Sequence, residues 1–475
     1  MLALVLVPLA AAVLALLTPS ERVRPWIVAA TGIVHLGGTL RLASGETAFD
    51  GWFGVDPLGH LILLVVSSLF ALCAVYGIGY LRVRSERPNR VFCVCLLTFL
   101  AMTTTITLSQ HLAVMWVALE GATLSTAVLI YFNHNARSLE AAWKYLMIGS
   151  VGIAIALLGS LFVGYAALHA AEGDHSLIFR SLMEHANALS RPWLRAGFVL
   201  LLVGYGTKMG LAPLHTWKPD AYGEAPGIIG ALLAGGMTSC AFLALLRIYG
   251  IMQPAGEGRF ARELFVALGL LSMGVAAVFM AGQRDFKRML AYSSVEHMGI
   301  LVLGIGVGGL AVLGALLHLI SNALTKVVLF LSAGNIHRAY GSKRIDDVRG
   351  ALRLLPVSGG LFLAGLFAVT GSPPFGLFVS EFTILNGAVV GGHYVAAGLF
   401  LVFLAIIFIG MGATVLTVVQ GPVSPAGLAR RYREGPWKTI SPIVALVLVM
   451  MMGIWIPAPL YQFVQRAAAT LEHAP

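Results

Sequence analysis

Charge is scarce in this sequence. It has 31 basic and 21 acidic residues among 475, against 58% hydrophobic residues and a mean hydropathy of +0.88. So few charges cannot cover a water-soluble surface of this size, which excludes a string of ordinary soluble domains. Cysteine is scarcer still. Cys73, Cys93, Cys95 and Cys240 all fall in apolar segments with no CxxC pair and no histidine at ligand spacing, so neither structural zinc nor an iron–sulfur cluster is expected in this chain. The formal charge of +10 does not point to nucleic acid, because the basic residues are scattered through short connectors and form no basic stripe with interleaved aromatics.

What is abundant is long apolar sequence. At about 20 apolar residues per crossing, and roughly 30 to 35 per span with its loop, the length predicts an all-α polytopic membrane protein of about 14 transmembrane helices. Reading apolar runs against charged or Pro/Gly breaks places them near 2–18, 25–42, 57–81, 91–109, 111–132, 140–169, 195–217 and 226–250. Six more follow near 262–281, 288–306, 309–337, 354–389 (interrupted), 394–420 and 438–463. The first run has signal-peptide length but no basic residue ahead of it, so it is expected to remain as a helix.

Basic residues then assign the sides. Odd-numbered connectors hold 20 of them, among them Arg22, Arg24, Lys218, Lys287, Arg430, Arg431 and Lys438; even-numbered connectors and the tail hold 8, Arg247 included. By the positive-inside rule the odd connectors are cytoplasmic and both termini lie on the outer (periplasmic) side of a prokaryotic-type plasma membrane.

Three lysines remain inside spans, and they are joined there by acids and histidines. A charge near the bilayer centre costs about 2.5 to 3.5 kcal/mol on insertion scales and is functional by default. The candidates are Glu120, Lys144, Lys208, Glu296, His318, Lys326 and Glu381, with His215, His297 and Asn322 as secondary ones. Glu120 and Lys326 lie too deep to snorkel, whereas Lys144 is a few residues from a connector and His215 sits at the end of its segment beside Trp217, Lys218 and Pro219, where an interfacial anchor and a proton carrier are equally open readings. Glu296 and His297 are adjacent, so they point in different directions and at most one is expected to face a shared cavity. His318, Asn322 and Lys326 fall at i, i+4 and i+8, one face of one helix.

Two spans are broken, one by Gly206, Gly210 and Pro213 beside Lys208, the other by Gly371, Ser372, Pro373, Pro374 and Gly376 ahead of Glu381. Irregular backbone at membrane depth survives where it lines a cavity or is buried in protein. Spans four to eight and nine to thirteen can be superimposed, Glu120 on Glu296, Lys144 on Lys326 and break on break. Five spans is an odd number, so the fold expected is two inverted five-helix repeats, each containing a broken helix. This divides the chain into an N-terminal three-helix segment (1–90), a first repeat (91–250), a second, inverted repeat (262–420) and a C-terminal helix and tail (438–475).

The segments WVALEGATL, SLEAAWKYL, TKMGLAPLHTWKPDAYGEAPG, QRDFKRMLAYSSVEHMGI, HLISNALTKVVLFLSAGNIH and GSPPFGLFVSEF together resemble the antiporter-like, proton-pumping membrane subunits of respiratory complex I, group 4 membrane-bound [NiFe] hydrogenases and multisubunit cation/proton antiporters. Within that family the pattern is most similar to hydrogenase-4 component F. The resemblance implies that Glu120 and Lys208 form a pair that alternates between contact and separation, that Lys326 is the central lysine aided by His318, and that Glu381 is the terminal ion. Many relatives carry a lysine in helix eight; here GGMTSCAFLALLR has no ionisable residue before Arg247, which leaves Thr238, Ser239 and water to link Lys208 to Lys326. It further implies a non-catalytic ion-translocating subunit with no cofactor of its own, the nickel–iron centre and iron–sulfur clusters residing in partner subunits. The expected partners are the lipid bilayer, other membrane subunits and a peripheral hydrogenase-type arm, with protons as the coupling ion and sodium as the alternative.

Overall fold

A computed structural model describes residues 1–475 apart from 44, 46, 85, 169–175, 429–431 and 473–475. Arg430, Arg431 and the expected span end at 169 lie outside the described residues. The chain is helical nearly throughout, with one small antiparallel ribbon pairing Thr47 with Gly54 and Ala48 with Phe53. The helices of eight residues or more are α1 (Ala3–Leu17), α2 (Arg24–Leu40), α3 (Pro57–Val83), α4 (Arg90–Leu108), α5 (Leu112–Ile130), α6 (Ala136–Leu168), α7 (Arg191–Met209) and α8 (Trp217–Glu224). Next, α9 starts as Gly227–Ala231, widens through a π-helical stretch at Leu232–Met237 and continues as Thr238–Met252. The remainder are α10 (Gly258–Met280), α11 (Phe286–Val307), α12 (Leu310–Tyr340), α13 (Pro356–Val369), α14 (Gly376–Val390), α15 (Tyr394–Val419), α16 (Pro436–Ile454) and α17 (Ala458–Glu472).

Among the described residues nine helical stretches are long and apolar enough to cross a membrane, and α1, α13 and α14 are shorter apolar helices. Outward-facing stripes such as Trp143, Met147, Val151 and Leu158 on α6, or Val395, Leu399, Val402 and Ile406 on α15, are exposed and apolar, as lipid requires and water penalises. By contrast α11 and α12 are buried along almost their whole length. They form the centre of the molecule.

Close backbone approach comes from glycine. A Cβ on Gly204 of α7 would fall 2.6 Å from the Gly152 carbonyl oxygen of α6, and one on Gly299 of α11 would fall 2.7 Å from that of Gly269 in α10. These two small-residue seams lock the helices that carry the functional side chains.

The helix ends follow local chemistry. Asp56 caps α3 through the Gly59 amide with Pro57 at the first helical position, and Asp285 caps α11 through the Lys287 and Arg288 amides. Both expected breaks are present. At the first, α7 ends at Gly210 (φ 77°), an Ala212–Pro213 cis bond follows, and α8 begins; at the second, α13 ends before Gly371 (φ 63°), a Pro373–Pro374 cis bond follows, and α14 begins.

The last expected span, 438–463, is instead two helices. Trp455 is extended ahead of Pro457, which cannot continue the backbone hydrogen bonding of α16. The chain restarts as α17, whose Val464, Ala467, Ala468 and Leu471 recur on one face and pack inward, with Phe463 edge-on to His60 of α3 at 5.1 Å between ring centroids.

Candidate functional site

Lys208, near the C-terminal end of α7, is buried, its side chain 1% exposed. Its Nζ donates to Thr123 Oγ1 at 2.6 Å and reaches Glu120 Oε2 at 3.5 Å, both on α5. Glu120 is 22% exposed and also accepts from Ser150 Oγ of α6 at 3.1 Å. The long, loosely made ion pair leaves Thr123 as the tighter partner. Gly149 of α6 completes the seat, since a Cβ there would stand 2.8 Å from Lys208 Nζ. Tyr145, bonded to Thr126 at 2.7 Å, places its ring 5.9 Å from the ammonium.

A second group surrounds α11. Lys326 of α12 is fully buried and donates to Ser293 Oγ at 2.7 Å, while Lys218 of α8, equally buried, donates to Ser294 Oγ at 3.1 Å. Glu296 is close enough to feel the Lys326 charge but is not hydrogen-bonded to it. Both of its carboxylate oxygens, the Asn322 carbonyl oxygen, the Ser321 hydroxyl and one Glu381 oxygen are buried without a hydrogen-bond partner. Orphaned polar atoms of this kind are expensive, so their concentration around Lys326 is not explained by packing.

A third group continues outward along the same helices. His297 Nδ1 and His318 Nε2 are hydrogen-bonded at 2.9 Å, and His318 Nδ1 pairs with Ser380 Oγ at 3.0 Å on α14, next to Glu381. Ligand-type atoms of His297, His318 and Glu381 all lie within 4.8 Å of one another, a spacing that suits a cation as well as a shared proton. The adjacent lysine charge and the ring-to-ring hydrogen bond favour the proton. Gly371 at the second break exists for Glu381: a Cβ there would fall 2.0 Å from its Oε2.

The structure therefore brings Glu120 and Lys208 together, and brings Glu296, His297, His318, Asn322, Lys326 and Glu381 together. Glu296 and His297 point in different directions, as expected of neighbours on a helix, and both are buried. Because α11 is enclosed on every side, two directions 100° apart both meet polar groups. Lys144 stands apart: it is 44% exposed and pairs with Glu140 at 2.6 Å and Asp220 at 2.8 Å. His215 is buried beside the stacked rings of Phe279 and Tyr292, with ring centroids 6.5 and 6.3 Å away. Thr238 and Ser239 donate back to the Ala234 and Gly235 carbonyls of their own helix, and among the described residues neither is hydrogen-bonded to Lys208 or Lys326.

Several basic residues counted as connector charges are in fact buried: Arg24, Lys218, Arg247, Lys287 and Lys438. Lys218 is the buried ionisable group beside α11 that the sequence reading left among the connector charges. The available signal was position, since it follows the first break by five residues as Glu381 follows the second by seven.

The family described as NADH:quinone oxidoreductase/Mrp antiporter, TM, matches residues 109–408, which span from α5 to α15 and hold all three groups around Lys208, Lys326 and His318. The chain belongs to that family. The hydrogenase-4 component F homolog of Methylacidiphilum infernorum is 33% identical to this antiporter-like chain over 462 residues, 95% of this chain and 96% of the relative. NADH-quinone oxidoreductase subunit N of Desulforudis audaxviator is 32% identical over 468 residues, covering 90% and 88%. Among solved structures, a chain of the archaeal membrane-bound sulfane sulfur reductase superposes with a TM-score of 0.88 at 20% identity, covering 99% of this chain and 97% of its own, a likeness of fold. The protein is thus a multi-pass, antiporter-like membrane subunit of the family shared by complex I and group 4 hydrogenases, and these relatives are subunits of membrane-bound multisubunit oxidoreductase complexes.

Proposed function

We propose that the chain translocates protons as the antiporter-like subunit of a group 4 [NiFe] hydrogenase-type complex, coupling redox chemistry in partner subunits to proton movement across a prokaryotic plasma membrane. The observation that carries this reading is the buried series from Glu120–Lys208 to Lys326 with Glu296, and on to His297, His318 and Glu381. An ammonium beside its carboxylate holds its proton; when Glu120 withdraws from Lys208, the low dielectric favours the neutral amine and the proton moves on. Lys326, aided by His318, receives it, and Glu381 exchanges it with one side. Lys144, paired with Glu140 and Asp220 at the margin, belongs to the approach to Lys208.

The matched breaks, each followed by a buried ionisable residue, support two inverted five-helix repeats, 91–250 and 262–420, flanked by the segments 1–90 and 438–475. We assign fourteen crossings with both termini on the outer side. The nickel–iron centre and iron–sulfur clusters belong to a peripheral arm in this reading, and this chain carries none. The subunit N relative, nearly as similar as the component F homolog, favours a second reading as a subunit of a complex I-like dehydrogenase. A redox-independent sodium/proton antiporter is the third. Co-purifying subunits and the sodium dependence of transport separate the three.

In the assembled complex, Lys326→Met is expected to keep redox turnover and abolish proton uptake into vesicles. Wild-type proton uptake by that variant would refute the reading.

A further inference from the structure

The other buried basic side chains have conventional partners. Arg24 donates to the Thr18 and Pro19 carbonyls, Arg247 to Asp56 and the Ile106 and Thr107 carbonyls, Lys287 to the Gly223 and Ala225 carbonyls, and Lys438 to the Arg433 carbonyl. Apart from the Arg433 carbonyl, in the loop ahead of α16, these are helix ends and acids, the usual places for a buried cation. Lys218 has neither. Its Nζ meets only Ser294, at 3.1 Å to the hydroxyl and 3.5 Å to the carbonyl, and among the described residues it makes no ion pair.

The titratable groups in range of Lys218 are Lys326, His215, His297 and the Tyr222 ring, whose centroid is 5.8 Å from Nζ. None is an acid. Lys218 and Lys326 stand on consecutive serines of α11, Ser294 and Ser293, so two ammonium groups would repel inside a low-dielectric interior. An interior that seats two lysines and gives them no carboxylate bond favours one proton shared between them.

The seat of Lys218 is built from the break that follows Lys208. A Cβ on Gly210 would fall 2.1 Å from Lys218 Cε and 2.8 Å from its Nζ, so the lysine stem lies directly across the glycine that ends α7, two residues beyond Lys208. Between the two lysines stands an aromatic line: Tyr145, 5.9 Å from Lys208 Nζ, then Trp217 at 5.0 Å from Tyr145, then Tyr222 at 5.9 Å from Trp217. Meanwhile α9 offers no ionisable group before Arg247.

We propose that Lys218 is the proton-carrying residue between Lys208 and Lys326. This rests on the proton-translocation reading above and names its middle step. Neutral Lys218 takes a proton released by Lys208 and becomes an ammonium. It then passes one proton to the neutral Lys326 amine by way of Ser294, Ser293 and water between them, each hydroxyl accepting one proton and donating one. Lys218 returns to the amine, and no co-reactant is consumed.

The test uses the whole complex in sealed vesicles, with redox turnover and proton uptake measured together for Lys218→Met, Lys218→Arg, Lys218→His and Lys326→Met. Lys218→Met and Lys218→Arg are expected to lose at least tenfold in proton uptake, the second because guanidinium does not release its proton. Lys218→His should retain part of the uptake, with its pH optimum moved down towards the ordinary histidine range near 6.5, a change that a merely structural cation would not produce. If Lys218→Met does not assemble, the cationic Arg and His variants decide. Full uptake by Lys218→Arg or Lys218→Met beside a dead Lys326→Met overturns the Lys218 step alone. Full uptake by Lys326→Met overturns the translocation reading on which it rests.

Discussion

Gly149→Ala tests the Lys208 seat through a side chain that makes no bond. The added Cβ would stand 2.8 Å from Lys208 Nζ, where ordinary contact begins near 3.5 Å, so the ammonium must retreat by about 0.7 Å. The group displaced is the free end of a flexible chain, so folding and assembly should be untouched. Moving Nζ from 3.5 to about 4.2 Å from Glu120 weakens the pair by about 0.8 kcal/mol at an effective dielectric of about 20. The charge-assisted bond to Thr123, 2.6 Å long and of a kind worth about 1.5 to 3 kcal/mol, is strained by the same shift. Together these give about 1 to 3 kcal/mol, or roughly 5- to 150-fold in proton uptake if the seat governs transfer. The assay is dye-reported acidification of vesicles driven by redox turnover, with Gly398→Ala, which has nothing within 4 Å of its Cβ, as the control. Uptake by Gly149→Ala equal to that control would refute the assignment of the seat, and loss of assembly would refute the claim that only a side-chain end is displaced.

Gly371→Ala should be more severe, because its Cβ would fall 2.0 Å from Glu381 Oε2 and the residue holds φ at 63°; proton uptake is expected to fall at least tenfold, and an unchanged rate would remove Glu381 from the path. Lys144→Met, by contrast, removes a half-exposed lysine from a solvent-screened pair, so uptake should stay within about twofold of wild type and stability within about 1 kcal/mol; a dead variant would move Lys144 into the obligatory path. Arg247→Met removes the donor of three carbonyls at the end of α4 and the cation beside Asp56, which keeps the Gln110 side chain and the Gly59 amide. It should destabilise the detergent-solubilised protein by about 1 to 3 kcal/mol, read as a lowered thermal midpoint, chiefly from the carbonyls left unpaired.

The apolar runs located the helices because lipid imposes one requirement on every residue facing it, and glycine and proline located both breaks because they fail locally. The error at 438–463 had a local cause as well: the Ile456–Pro457 step was treated as the interior of a span, although proline cannot donate there. The charges were a different problem. Sequence distance from a connector was taken as depth. It served for Lys144, a few residues from a connector, which reaches out to Asp220, and it failed for Lys218, which lies between Trp217 and Pro219 in what reads as a polar connector and is pressed inward where α8 folds back against α11.

Depth in such a chain is set by what each helix packs against, which apolar periodicity does not encode when a helix is enclosed on all sides. Glu296 and His297 make the point. Adjacent residues on a half-exposed helix would divide between core and lipid, yet on α11 one turns towards Lys326 and the other towards His318, and both are buried. A central helix can therefore present ionisable groups in several directions at once. That property lets a single helix, through Ser293, Ser294 and His297, touch both lysines and the histidine–glutamate group, so the proposed proton path is routed around α11 and not only along the His318–Asn322–Lys326 face of α12.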